Sequence, residues 1–164
     1  NQRYKGVVTI DGNGKDSVEN IPDFIEELKK GYGFIQGSRF ILGGKHINTP
    51  LSRLFAVKFI HAPWISFLSG FRYTDTTNGY RGISSKYIND KRLCIFRNIF
   101  SGYELLYYMA VKAPKLVNEV KEIPVIRVYP KKGKIPTKIK WTGNFKIIWI
   151  LLKLMFGYYD VKEK

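Results

Sequence analysis

Apolar positions along the chain come in runs of two periods. Residues 6–11 (Gly-Val-Val-Thr-Ile-Asp) are β-branched with no polar alternation before the Asp, which predicts a strand buried on both faces of a parallel sheet. Chemistry is then expected at its C-terminal end. Residues 18–30 place Ile21, Phe24, Ile25 and Leu28 at helical spacing, with Pro22 in the first turn and Gly31 just past the end. Residues 33–38 read as the next strand, so the order is strand, helix, strand, as in an α/β crossover. Residues 43–50 read as a loop containing His46. Residues 51–68 are apolar with scattered Arg53, Lys58 and His61, and Pro63 predicts a division into two short helices. Ser101 followed by Glu104 forms a capping box for a helix to about Lys112, and residues 117–129 contain a strand interrupted at Pro124.

The tail differs in character. Residues 131–140 carry five Lys and no acid, and residues 145–159 are apolar apart from Lys146, Lys153 and Gly157. A helix over 145–156 would be about 18 Å long, too short for a hydrocarbon core of about 30 Å. Lys146 and Lys153 would share one face, so the pattern suits a helix lying at an anionic membrane surface, with a buried core helix as the alternative.

Composition narrows the class. The chain of 164 residues is 45% hydrophobic, enough for one folded unit, and its formal charge of +15 favours an anionic partner. A single cysteine, Cys94, excludes a disulfide framework and a structural zinc site, and its neighbours Leu93 and Ile95 suggest a small buried residue. No recognised nucleic-acid motif accompanies the charge. A basic nucleic-acid module therefore ranks as a minor alternative, and no nucleic acid is expected as partner.

The run Asp11-Gly12-Asn13-Gly14-Lys15-Asp16 fails two common templates. As a calcium loop it lacks the required residues at its fifth, sixth and twelfth positions, held by Lys15, Asp16 and Pro22; as a phosphate-binding Walker loop it lacks its first Gly and final hydroxyl. What remains is a carboxylate and an amide two residues apart where a strand ends, able to face one cation together.

That arrangement resembles the acidic strand-end motif of family 2 glycosyltransferases, particularly their dolichyl or polyprenyl phosphate sugar transferase branch. The likeness extends, in order, to Gly37-Ser38-Arg39, Ser52-Arg53, Asp75-Thr76-Thr77-Asn78-Gly79-Tyr80-Arg81 and Glu122-Ile123-Pro124-Val125. The resemblance implies a partial GT-A (Rossmann-like) α/β fold with a mostly parallel sheet over residues 1–130. By the same resemblance the chain is expected to lack the N-terminal nucleotide-binding half, and a basic loop and amphipathic helix are expected over 131–164. It further implies an inverting transferase that moves a sugar from a nucleotide-sugar donor to a polyprenyl phosphate or other lipid-linked acceptor. The site would be peripheral, at the cytoplasmic face of a membrane. Asp11 and Asn13 are then the candidates for a divalent cation, Mg2+ or Mn2+. Asn13 and Lys15 depart from the family's Asp and Gln, and Lys15 offers the diphosphate a protein cation instead. Arg39 and Arg53 are the implied contacts of the acceptor phosphate, with Ser38 beside them. A glycan hydroxyl as acceptor would need a base, for which Asp75 is the candidate, with Arg81 orienting it or a phosphate. A chain of this extent is expected to need the partner half of the same enzyme for turnover.

Overall fold

The computed structural model describes residues 4–117, 119–131 and 141–161, the last segment through residue 145 as backbone only. The order of elements is β1 (Gly6–Thr9), α1 (Ile21–Lys30), β2 (Phe34–Ser38), β3 (Lys45–Ile47), α2 (Leu51–Ala56), α3 (Ala62–Ser69), β4 (Arg81–Ser84), α4 (Ser85–Ile88), α5 (Glu104–Leu116), β5 (Val120–Pro124), β6 (Ile126–Val128) and α6 (Trp141–Met155). The main sheet has the strand order β1-β4-β2-β5. Strands β1, β2 and β5 run in one direction, and β4 is inserted antiparallel between β1 and β2. This is an α/β fold with most strands of the main sheet parallel. A second, two-stranded sheet pairs β3 with β6 in parallel, so residues 43–50, read from sequence as a loop, contain a strand bearing His46.

Two core clusters lie on opposite faces of the main sheet. Strand β2 is buried throughout, and its alternation sends Phe34 to one side and Ile35 to the other. On the Ile35 side α1 contributes Phe24, whose ring stacks on Tyr80 at 4.4 Å. On the Phe34 side the core is built from α3, α5 and α6, with Ile65, Tyr108, Ile150 and Leu151 among its members. The strand predicted at residues 6–11 does form, but not buried on both faces: β1 ends the sheet, and Val7 is 45% exposed. The missing polar alternation reflected β-branched residues at an edge, not double-sided burial.

Helix α1 starts with Pro22 in its first turn and ends at Gly31, whose φ of 106° only glycine adopts readily. Residues 51–69 do not divide into two helices. A π turn, Val57–His61, joins α2 to α3 directly, and the Ala62 N–H donates to the Val57 carbonyl five residues back. A wider turn just ahead of Pro63 removes the clash its ring would make with the carbonyl of Phe59. Helix α5 continues past Lys112 through Pro114 to Leu116. Pro114 deprives the Ala110 carbonyl of its helical donor, and the Tyr73 hydroxyl supplies one at 2.9 Å. Only half of the predicted box forms: the Ser101 N–H donates to Glu104 at 2.6 Å, but α5 begins at Glu104 itself, with Tyr103 and not Ser101 at its N-cap.

Helix α6 presents Ile147, Ile150, Leu151 and Leu154 to the larger core, while Ile148, Trp149, Met155 and Phe156 are exposed. Residues 132–140, nearly all of the basic run, lie outside the described residues. Among the described residues no helix is long and apolar enough to cross a membrane. Cys94, expected to be buried, is exposed at a positive φ of 45°.

Candidate functional site

The segment after β1 and the strand β6 are laced together by main-chain bonds. Ser17 N–H donates to the Ile126 carbonyl and Val128 N–H to the Lys15 carbonyl, at 3.1 and 2.8 Å. Asp11, Asn13, Lys15 and Asp16 are thereby held against the alternate positions Arg127 and Tyr129. Arg127 is the hub. One of its terminal nitrogens donates to Asp11 Oδ2 at 2.8 Å, and the other to Asp16 Oδ2 at 2.6 Å and Asn78 Oδ1 at 3.2 Å. Burial opposes the Arg127 charge, yet the two carboxylates hold its pKa above the usual arginine range. Burial raises the pKa of Asp16 against the opposing pull of Arg127.

Asp11 remains partly exposed, its side chain at 39%. Asn13 turns back over it, the side-chain amide 3.5 Å from Asp11 Oδ2 and its oxygen accepting from the Lys15 N–H at 3.2 Å. Gly79 closes in from the loop before β4: a Cβ there would stand 2.5 Å from Asp11 Oδ1. Only glycine permits that approach.

Tyr129 gathers the remaining cations. Arg53 donates to its hydroxyl at 2.9 Å, Lys15 Nζ lies 4.8 Å from its ring centroid, and the Arg53 and Arg127 guanidinium carbons lie 5.6 and 5.8 Å from it. Burial favours the neutral phenol, but the hydrogen bond from Arg53 and the charges of Arg53, Arg127 and Arg39 outweigh it and lower its pKa. Burial lowers that of Lys15. The cluster so formed is mostly enclosed: Tyr129, Lys15 and Arg127 are buried, and it reaches solvent through Asp11, Asn13 and the half-buried Arg53.

Behind this cluster the predicted residues Arg39, Ser38 and Asp75 form an interior brace. Arg39 Nε and one terminal nitrogen donate to the two oxygens of Asp75 at 2.6 and 2.9 Å, and the second also reaches Thr77 Oγ1 at 3.1 Å. Both partners are buried, so Arg39 is occupied by Asp75 instead of being presented to an acceptor. Asp75, with both oxygens engaged and its side chain 0% exposed, holds Arg39 and is not set to take a proton from a hydroxyl outside. Ser38 is likewise enclosed, sharing a 2.5 Å hydrogen bond with Thr74. Arg81 does not meet Asp75. It is fully buried, donates to the carbonyls of Leu106 and Thr76, and lies 5.5 Å from the Phe34 ring centroid. Burial depresses its pKa to about 10. The 75–81 run thus anchors its arginine in the core because the side chain follows β4 inward.

Sequence reasoning brought Asp11, Asn13, Lys15 and Arg53 to one place. It missed Arg127, Tyr129 and Asp16. Period 2 along the interrupted strand put Arg127 and Tyr129 on one face, the only advance signal. Glu122, quoted within a motif without a role, accepts from the N–H groups of Thr74 and Asp75 at 2.9 and 3.1 Å and so fixes the loop that carries Asp75.

A hard divalent cation wants six or more oxygens. Here the position between the two carboxylates Asp11 and Asp16 is taken by the Arg127 guanidinium, and Asn13 Oδ1 is engaged by a main-chain N–H. Among the described residues no three His, Cys, Asp or Glu side chains group as a metal-binding set. The described residues thus build no closed protein cage for an ion; the partly exposed Asp11 is the carboxylate that would hold one together with water and a donor diphosphate.

No family model matches the chain. An undecaprenyl-phosphate mannosyltransferase of Micrococcus luteus is 25% identical over 131 residues, covering 80% of this chain and 52% of the relative. The likeness supports a glycosyltransferase at the level of family. The chain spans about half the length of that relative.

Proposed function

We propose that this chain carries the acceptor-side part of a glycosyltransferase that moves a sugar from a nucleotide-sugar donor to a polyprenyl phosphate or other lipid-linked phosphate, at the cytoplasmic face of a membrane. The observation that carries the reading is the Arg53 to Tyr129 hydrogen bond, 2.9 Å, with Lys15 and Arg127 around the same ring at the Asp11 strand end. Two phosphates must approach each other in this reaction, the acceptor's and the donor's diphosphate. Fixed cations reduce that repulsion without reorganisation as the reaction proceeds.

In the inverting reaction an acceptor phosphate oxygen forms a bond to the anomeric carbon from the face opposite the donor diphosphate. The bond from that carbon to the diphosphate oxygen breaks, and the diphosphate leaves with the electron pair. A phosphate monoester is already ionised near neutral pH, its second pKa being about 6, so no general base is required. Enclosure of Asp75 agrees with that economy. Arg53, half-buried, is the acceptor contact on this chain; Lys15, buried against the Tyr129 ring, supplies positive charge toward the diphosphate from beneath, and Arg127 keeps Asp11 aligned. Arg39, Ser38 and Asp75 act from behind as positioning residues.

The test is transfer to a short prenyl phosphate by the enzyme with Arg53→Ala. The acceptor KM is expected to rise on the order of tenfold or more, because a charge-assisted bond is lost. An unchanged KM would remove Arg53 from the acceptor site, and equal use of a prenyl alcohol would remove phosphate as the recognised group.

A further inference from the structure

The rod formed by α2, the π turn and α3 is amphipathic in an inverted sense. Val57, His61, Ile65 and Ser69, four residues apart, are buried. Leu51, Phe55, Phe59, Pro63 and Phe67, at the same spacing, are exposed, with Leu51 at 83% and Phe67 at 82%. The outward row is thus wholly apolar, while the inward row carries a histidine and a serine. In an unbroken α-helix a four-residue row drifts around the axis by about 40° per step. The π turn closes over five residues, winds less per residue, and takes that drift back. The exposed row therefore stays on one side, and the Phe55 and Phe59 rings meet at 4.8 Å. A helix bathed in water carries polar residues on its outer face, and a continuous apolar strip there marks an interaction surface.

Charge around the strip selects its occupant. From Leu28 to Thr74 the sequence contains no Asp or Glu. Lys45, Lys58 and Arg72 are exposed in this stretch, and Arg53 sits on the rod itself, half-buried. Lys58 Nζ lies 5.1 Å from the Phe40 ring, a cation held beside apolar surface. Exposed aromatic rings on a stretch of chain whose charged residues are all cations match the boundary between acyl chains and anionic headgroups, where rings enter and ammonium groups stay among the phosphates. A second protein surface would need no such absence of acids.

We infer that the α2–α3 rod is a docking element that lies in the plane of an anionic lipid bilayer, inserting Leu51, Phe55, Phe59 and Phe67. The same rod carries Arg53, so docking sets the Arg53 and Tyr129 pair beside the lipid phosphates. That last consequence rests on the proposed acceptor; the docking itself does not.

Flotation of the whole chain with phosphatidylcholine vesicles, with and without phosphatidylglycerol, tests this against Phe59→Ser/Phe67→Ser. Both rings point outward, and a thermal melt of the variant verifies that it is folded. The chain is expected to float with the anionic vesicles and more weakly with neutral ones. The double variant should lose roughly tenfold in partitioning for each ring removed. Undiminished binding by the folded double variant, or no flotation of the parent chain, overturns the inference. So does a dimer in solution that the double variant dissolves while vesicle binding is absent, since the strip would then belong to a second copy. Flotation uses no sugar donor, so the transferase reading and the docking surface can fail separately.

Discussion

Arg39 and Asp75 form a two-point ion pair in the interior, with Nε to Oδ2 at 2.6 Å, a terminal nitrogen to Oδ1 at 2.9 Å, and side chains 2% and 0% exposed. It ties the end of β2 to the loop before β4, and the site surface lies over it. Burial alone would lower the arginine's pKa, but the hydrogen bonds and charge of Asp75 raise it. Removing one partner leaves an uncompensated buried charge. Asp75→Ala and Arg39→Ala are each expected to cost about 3–5 kcal/mol, and the double variant less than their sum. Urea denaturation of the three variants measures this. Additive losses would mean that the pair is not coupled.

Gly79 and Asp11 make a different kind of contact, an exclusion. A methyl group at Gly79 would stand 2.5 Å from Asp11 Oδ1, so Gly79→Ala must displace the carboxylate and with it the bond to Arg127. Misplacement of about 1 Å at a reacting site costs on the order of a hundredfold in rate. Activity should fall by about that much in Gly79→Ala, while the urea midpoint moves little, since the displaced carboxylate faces solvent. A variant with normal activity would show that Asp11 is not part of the reacting geometry.

The sequence made the scaffold readable where local rules and tertiary packing agree. Pro22 and Gly31 bracket α1, Glu104 in the first turn of α5 is bonded by the Ser101 N–H just ahead of it, and Pro124 ends β5 before β6 begins. It misled where a residue type answers to more than one environment. The β-branched Val7 and Val8 suit an edge as well as an interior, and Pro63 is as compatible with a π turn as with a break. The site divides in the same way. Motif arginines 39, 53 and 81 look alike in sequence, yet one is locked to Asp75, one reaches Tyr129 and one is sunk among core aromatics. Burial of each follows from the direction its strand or helix takes, which spacing alone does not encode. Arg127 carries no motif because its partners Asp11 and Asp16 are more than a hundred residues away.

His61 makes the fold sensitive to mild acid. It is 7% exposed, its Nδ1 has no hydrogen-bond partner, and its ring stacks on Tyr107 at 5.8 Å. Burial pushes its pKa down from 6.5 to about 4. Between those values the unfolded chain binds the proton that the folded chain refuses, so this contribution is fully present above pH 6.5 and is lost as pH falls toward 4. The loss amounts to about 3 kcal/mol by linkage. Asp16 and Glu122 act in the opposite sense, because burial raises both and their folded forms take up protons first. The His61 share is read as the difference between the parent and His61→Phe. The variant should lack the stability decline between pH 6.5 and 4. Parallel curves would mean that His61 does not titrate in that window.

Arg127 between Asp11 and Asp16 predicts that phosphate binding is carried by protein charge. Calorimetry with inorganic pyrophosphate should give an affinity that 5 mM Mg2+ changes by less than about threefold, since the guanidinium already occupies the place of a shared cation. Lys15→Ala should weaken binding on the order of tenfold, since one positive charge beneath the diphosphate is lost. A large gain with Mg2+ would show that the ion joins Asp11 once a diphosphate is present, and would return Asp11 and Asn13 to the role of metal ligands.

Tyr129 gives the site a spectroscopic handle. Burial raises its phenol, but the Arg53 hydrogen bond and the neighbouring guanidinium charges prevail, so it ionises below the usual tyrosine value near 10. Tyr73, Tyr87 and Tyr107 are shifted upward by burial and remain neutral longer. In an ultraviolet titration one early phenolate step is therefore expected, absent in Tyr129→Phe and displaced to higher pH in Arg53→Ala. A phosphate seated on Arg53 would compete for the same guanidinium and add negative charge beside the phenol. Saturation with a prenyl phosphate should thus move the step upward as Arg53→Ala does, and an alcohol of the same chain should not. If the ligand leaves the Tyr129 step in place while still binding, the phosphate lies elsewhere and the cations around this ring serve only the fold.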